Sequence, residues 1–412
     1  MKLRGLRGRA AAWTAVAAVL LLAAATWLVW PSGTRVRVLD QAITVVDGPA
    51  DDQRVTLDTS FFPPAGGGKG PAVLLAHGFG GSKRNVRDAA ERLAQEGYAV
   101  LTWSARGFGR STGQIALNSP DYEVKDVRQL VDWLAKRPEV LLDRGGDPRV
   151  GVAGGSYGGA IALMAAAHDE RIDAIVPQIT WYDLADALFP DAGGKGPVHG
   201  VFKRMWAGLF FSRGGAPAAG GLAALTGAGS PAEPGAGDDT TDGAADGAAD
   251  GAGGAPGDGA GNGAGDGRDG GGTPGVPAGQ DGRAQARTPT AEEVRCGRFL
   301  PEICAMYQEV AETGRATESA VETLRRSSPV SVQGRIRIPT LLIQGQRDSL
   351  FPLHHADANA RAIAATGAPV RVAWFDGGHD GGDGETDWIH EQTLGWFDHY
   401  LKNPEGTAAA PA

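Results

Sequence analysis

The sequence predicts an α/β fold, a mostly parallel sheet flanked by helices, and three observations carry the prediction. Short apolar runs of buried-strand character alternate with amphipathic stretches of helical period along most of the chain. A serine sits between glycines where one such run gives way to a helix, in Gly154-Gly155-Ser156-Tyr157-Gly158-Gly159. An aspartate and a histidine, Asp348 and His379, each follow a later strand-like run. Strands separated by helix-length crossovers pair in parallel and carry helices on both faces.

In chain order, Lys2, Arg4, Arg7 and Arg9 precede an uncharged run over residues 10–30, which as a helix would span ~31 Å, the thickness of a bilayer core. Ala23 and Ala25 would serve a signal-peptide cleavage site. The apolar character nevertheless continues through Trp27, Leu28, Val29 and Trp30, with tryptophans where an interfacial belt would lie. Residues 1–33 are therefore expected to be an uncleaved signal anchor, basic end cytoplasmic and the rest extracytoplasmic; cleavage and secretion is the alternative. Residues 34–46 and 54–62 read as strands, the alternation Arg35-Val36-Arg37-Val38 suiting a half-exposed edge. Three strand-then-helix units follow, 72–76 with 83–96, 98–103 with 122–136 and 149–153 with 156–168, then a strand at 172–179. Residues 34–180 thus form the first part of the core.

The rhythm breaks there. Residues 181–212, aromatic and irregular, read as the first part of a cap. Residues 213–289 are too poor in apolar side chains to offset their ordering entropy and read as a disordered Gly/Ala/Asp-rich linker. Residues 213–287 hold nine Asp and one Glu against four Arg, so most of the formal charge of -9 belongs to this linker. No basic stripe suits nucleic acid, and the Asp-Gly repeats lack the apolar position of calcium-binding nonapeptides. Residues 290–328 supply a second, helical part of the cap, helical over 292–326, with Val294, Phe299, Ile303, Met306, Val310, Val321 and Leu324 available for its inner face. The core resumes over 329–402, with strands at 339–344 and 370–375 and helices at 353–365 and 386–401, and residues 403–412 form a disordered tail. Cys296 and Cys304, the two cysteines present, are too few for a disulfide framework or a structural zinc site; one local disulfide and two buried thiols both fit.

The chemistry concentrates in the three polar residues of the opening observations. A serine at a strand-to-helix turn, with Gly154 two before it and Gly158 two after, reads as a nucleophile elbow. A hydroxyl is a poor nucleophile, so it needs an imidazole to take its proton and a carboxylate to fix the imidazole's tautomer. Asp348 follows Leu341-Leu342-Ile343-Gln344-Gly345-Gln346-Arg347, and His379 lies in the small-residue loop Gly377-Gly378-His379-Asp380-Gly381-Gly382. Asp376 is the main rival for the carboxylate, with Asp183 behind it. His168, His199, His354, His355, His390 and His399 read as structural or surface residues. His77-Gly78-Phe79-Gly80-Gly81 follows a buried strand where an oxyanion loop belongs, so Phe79 and Tyr157 are the candidate N–H donors, with His77 bracing the loop. The stretch Arg106-Gly107-Phe108-Gly109-Arg110-Ser111-Thr112-Gly113 lacks the Lys-Ser/Thr ending of a phosphate loop and reads as an arginine-braced turn. Asp380, Asp383, Glu385 and Asp387 would suit calcium, but solvated loop carboxylates are far commoner; no metal or cofactor is assigned.

Over residues 55–402, the insert excepted, these motifs resemble the α/β-hydrolase superfamily. More narrowly they are similar to its Xaa-Pro dipeptidyl-peptidase-like branch, which includes cocaine-esterase-like acylases. The closer resemblance rests on Gly155-Ser156-Tyr157-Gly158-Gly159, the Arg106 to Gly113 turn, Ser328-Pro329 before the seventh strand, and Gly345 to Asp348. It implies a Ser-Asp-His hydrolase with a helical cap after the sixth strand, acting on an acyl or peptide bond, with Ser156 as nucleophile, Asp348 as acid and His379 as base. The His77-Gly78-Phe79-Gly80-Gly81 loop departs from members of the branch in which a tyrosine hydroxyl takes one oxyanion role, and is closer to an esterase or lipase loop. The expected function is serine hydrolysis of an ester or amide, an Xaa-Pro peptide among the candidates, with a small-molecule or peptide substrate. Acyl transfer in the cell envelope would use the same residues. A non-catalytic surface protein would need none of them.

Overall fold

The computed structural model describes residues 36–190, 202–211 and 296–403. All of them lie in one of the two compact units into which the chain divides, Met1–Gly229 with Thr290–Ala412. The expected anchor over 1–33, the linker over 213–289 and the tail from residue 404 fall outside the described residues. Among the described residues, no helix is long and apolar enough to cross a membrane.

Among the described residues ten strands form, named β1 to β10 in chain order: Leu39–Asp47, Gln53–Phe62, Ala72–Ala76, Ala99–Trp103, Leu142–Arg144, Asp147–Pro148, Val150–Gly155, Ile172–Gln178, Thr340–Gly345 and Val370–Phe375. Eight make one sheet in the order β1-β2-β4-β3-β7-β8-β9-β10, and β5 with β6 makes a separate hairpin that the apolar pattern did not announce. The pairs β1/β2 and β2/β4 are antiparallel; every other pair in the large sheet is parallel.

The core strands are short and uniformly apolar because both of their faces are covered. β3 is buried along its whole length. Ala72, Leu74 and Ala76 pack on one side with Val127, Leu130 and Val131 of the helix Glu123–Leu134. Val73 and Leu75 pack on the other with Leu93, Tyr98, Trp396 and Phe397. Successive side chains of a strand point to opposite faces, so a strand between two helical layers has no polar position to spare.

A third apolar cluster joins Tyr157, Trp181, Leu184, Leu188, Phe299, Ile303 and Phe351, where the chain leaves the carboxyl ends of β7 and β9 and where the cap packs. The described cap comprises the helices Leu184–Leu188, Arg204–Phe211, Pro301–Thr313 and Glu318–Arg326. The single helix expected over 292–326 is in fact two. Gly314 takes a left-handed conformation (φ 69°) that ends the first, and the Thr317 hydroxyl accepts the Ala320 N–H to open the second. A left-handed glycine stops the hydrogen-bond ladder whatever the apolar spacing on either side. Cys296 and Cys304 form a disulfide.

Candidate active site

Ser156 stands at the end of β7 with φ 55° and ψ −117°, a conformation that costs a non-glycine residue roughly 1–3 kcal/mol. Its neighbours explain why the turn is possible. A Cβ on Gly154 would lie 2.6 Å from the Ala76 carbonyl oxygen, and one on Gly158 would lie 2.5 Å from the same oxygen. Both positions must therefore be bare. The turn is held from β8: the Ser156 N–H donates to the Gln178 carbonyl (2.8 Å), and the Thr180 hydroxyl donates to the Ser156 carbonyl (2.8 Å).

The structure brings Ser156, His379 and Asp348 into one hydrogen-bonded chain. His379 Nε2 lies 2.9 Å from Ser156 Oγ, and Nδ1 lies 2.7 Å from Asp348 Oδ2. All three are buried. The other Asp348 oxygen accepts the Phe351 N–H (2.8 Å), so both lone-pair faces of the carboxylate are engaged. With Asp348 accepting the hydrogen bond from Nδ1–H, Nε2 is left as the acceptor facing the serine hydroxyl. Gly378 makes the approach of the two loops possible: its φ is 145°, and a Cβ there would lie within 2.8 Å of the Asp348 backbone. Asp380 then ties them, accepting from the Ser349 hydroxyl at 2.8 Å. Phe351 and Trp206 meet the His379 ring edge to face, at 5.1 and 6.0 Å between centroids.

The rival carboxylates lie elsewhere. Asp376 is paired with Arg347 on an exposed turn (2.5 Å). Asp183 caps the helix Leu184–Leu188 and pairs with Arg325 (2.8 Å).

The Phe79 loop lies beside the serine, since a Cβ on Gly78 would sit 3.7 Å from Ser156 Cβ. His77 anchors this loop. Its Nε2 accepts the Ala105 N–H (2.9 Å), so the neutral ring carries its proton on Nδ1, which donates to the Gly78 carbonyl (2.7 Å). Burial lowers the His77 pKa to about 4, the Gly78 bond opposing it. The Phe79 ring packs against Phe108, Tyr157 and Phe299, and Tyr157 begins the helix behind the nucleophile. A narrow cleft, open to solvent, is lined by Phe79, Leu117, Ser156, Tyr157, Trp181, Leu184 and Leu188.

Two features of the site had no signal in the sequence. Lys203 donates to the carbonyls of Ser349 (2.6 Å) and Leu350 (3.1 Å), bracing the loop that carries Asp348. Arg106 lies buried between Asp47 and Asp126 (2.9 Å to the latter). An arginine-braced turn was legible; its partners, one upstream and one downstream, were not.

The acidic loop considered for calcium does not converge on one point. Asp380 serves Ser349, Glu385 accepts the Asp376 N–H (2.9 Å), and Asp387 pairs with Arg92 (2.8 Å). Among the described residues, Asp186, His354 and His355 bring ligand-type atoms close together. The Tyr182 N–H donates to His355 Nδ1 (3.3 Å). A neutral His355 ring therefore carries its proton on Nε2 and has no second lone pair for an ion.

The sheet order, the helical layers and the chain order Ser156, Asp348, His379 define an α/β-hydrolase fold. The sequence profile of the X-Pro dipeptidyl-peptidase family (S15) matches residues 51–203, which include the Phe79 loop and Ser156 and stop short of Asp348 and His379. An uncharacterized 31.7 kDa protein of Escherichia coli is 32% identical over 125 residues, 30% of this chain and 42% of that protein. A thermostable monoacylglycerol lipase of a Bacillus species is 32% identical over 126 residues, 30% of this chain and 47% of the lipase. Each match thus spans less than half of the relative. The acylaminoacyl peptidase of Pyrococcus horikoshii superposes with a TM-score of 0.51 at 13% identity, over 93% of this chain and 45% of the peptidase, a likeness of fold.

Proposed function

We propose that the protein is a serine hydrolase that cleaves an ester or amide through an acyl-enzyme. The observation that carries this reading is the buried chain from Ser156 Oγ through His379 to Asp348, with hydrogen bonds of 2.9 and 2.7 Å. His379 Nε2 takes the hydroxyl proton as Oγ attacks the carbonyl carbon, and Asp348 stabilises the imidazolium that forms. The oxyanion is held by the amides of Phe79 and Tyr157, the second at the positive end of the helix Tyr157–Ala166. The imidazolium then protonates the leaving alcohol or amine. Water, deprotonated by the same Nε2, releases the acid and restores Ser156.

The apolar walls of the cleft support an apolar acyl group. Among the described residues no carboxylate lines it to pair with a free N-terminal ammonium, which favours an ester over an Xaa-Pro dipeptide. Profile and lipase similarities are compatible with either. The test is a panel of p-nitrophenyl esters and Xaa-Pro amides, with a fluorophosphonate to mark the nucleophile. Ser156→Ala is expected to lower turnover by about 10⁶-fold and abolish labelling. Near-normal turnover in that variant, or label on another residue, refutes the reading.

We also propose that residues 10–30 hold the domain outside the cytoplasmic membrane. The Cys296–Cys304 disulfide supports an oxidising compartment. Resistance of the domain to protease added to intact cells would refute this placement.

A further inference from the structure

One wall of the cleft is a backbone that a leucine adopts with reluctance. Leu117 and Asn118 are both left-handed, with φ of 58° and 64°; asparagine tolerates this region, and the cost of roughly 1–2 kcal/mol falls on Leu117. Leu117 lines the cleft beside Ser156.

The turn is held by a single carboxylate. Glu123, the first residue of the helix Glu123–Leu134, accepts the Ala116 N–H on Oε1 (2.7 Å) and the Ser119 N–H on Oε2 (3.0 Å), fastening both ends of the left-handed pair. The Tyr157 hydroxyl also donates to Oε1 (3.1 Å). Asn118 closes the ring: its N–H donates to the Tyr157 hydroxyl oxygen (3.1 Å), and its Nδ2 donates to the Tyr157 carbonyl (2.9 Å). Asn118, Ser119, Glu123 and Tyr157 are all buried. An ionised carboxylate, acceptor on both oxygens, meets all three donors. Burial pushes the Glu123 carboxyl up, and the Arg106 charge and the Ala116 amide work against that rise.

We propose that Glu123 is a positioning residue for the acyl pocket: through the Ala116–Ser119 turn it makes Leu117 the wall that measures the apolar acyl chain, and through Tyr157 it fixes the residue after the nucleophile. The inference rests on Ser156 being the acylated residue. It predicts that acyl-chain preference depends on a turn of the core as well as on the cap residues Trp181, Leu184 and Leu188 that share the cleft.

The experiment compares wild type, Glu123→Gln and Leu117→Ala on p-nitrophenyl acetate, butyrate and octanoate, with the rate of fluorophosphonate labelling at Ser156. A glutamine of the same shape presents an NH₂ to one of the two backbone donors and cannot hold both ends. Both variants are expected to flatten the ratio of kcat/KM between best and worst ester by roughly tenfold, through KM more than kcat, while Ser156 remains labelled. A Glu123→Gln enzyme whose chain-length ratio equals that of wild type, however slow it is, overturns the proposal, as does an unchanged ratio in Leu117→Ala. If Glu123→Gln does not fold, Tyr157→Phe, which removes one donor to the carboxylate and keeps the ring, is read by the same ratio. Label absent from Ser156 in the wild type sinks the nucleophile reading instead, so the two failures are distinct.

Discussion

Acidification should expose the anchor of the Phe79 loop. His77 has a pKa of about 4 in the folded chain against 6.5 for an exposed histidine, because burial disfavours its charge. Between these values the unfolded chain binds a proton that the folded chain does not, so stability rises with pH across that window and falls as pH drops through it. The two values translate into a loss of about 2 kcal/mol at pH 5 and about 3 kcal/mol at pH 4, relative to pH 8. Asp126 and Asp173 (about 7 for the latter), both raised by burial, act with the opposite sign and gain stability on acidification over their own windows. The total slope therefore mixes contributions, and a difference isolates the one of interest. Glutamine at position 77 can accept from Ala105 and donate to Gly78 without titrating. Urea unfolding of the full-length chain and of His77→Gln, in nonionic detergent from pH 8 to pH 4.5, should show wild type losing about 2 kcal/mol more than the variant by pH 5. Parallel stability curves would refute the picture of a neutral histidine sealed under the loop.

Two other perturbations test the frame of the site. Gly158→Ala should destabilise the fold by about 2–3 kcal/mol and abolish labelling of Ser156, since the new Cβ meets the Ala76 carbonyl at 2.5 Å. Gly66→Ala, where nothing lies within 4 Å, should change stability by less than about 0.5 kcal/mol, and equal effects at the two sites would discredit the steric account. The double variant Cys296→Ser with Cys304→Ser should lose about 2–3 kcal/mol, the value for cross-linking residues eight apart. Dithiothreitol should lower the urea midpoint of wild type to that of the variant and leave the variant unmoved; a midpoint insensitive to reductant would contradict the bridge.

The sheet was legible because its strands are buried on both faces: Ala72–Ala76 and Val150–Gly155 contain no charged residue, and few other structures ask for such runs. The positions of Ser156, Asp348 and His379 were legible for a related reason, each lying just past a strand of the same parallel set. Residues whose roles depend on partners far off in sequence were not. Glu123 looks like an ordinary acidic start to an amphipathic helix, and nothing nearby announces that its carboxylate turns back onto Ala116 and Ser119. Lys203 belongs to an irregular stretch and acts on carbonyls almost one hundred and fifty positions away. The helix expected over 292–326 failed at Gly314, because an apolar stripe reports which face is buried and not where the backbone reverses.

β8 and β9 are neighbours in the sheet, with Ile175 opposite Thr340 and Gln178 opposite Ile343. Everything from residue 179 to residue 339 therefore departs from and returns to adjoining threads of one scaffold, and its length is nearly free, each doubling of such an excursion costing only about 0.6 kcal/mol. Length can be added or removed there, away from Thr180, Lys203 and Trp206, which brace the serine turn, the Asp348 loop and the His379 ring, while β7, β9 and β10 keep delivering serine, carboxylate and imidazole to the same point.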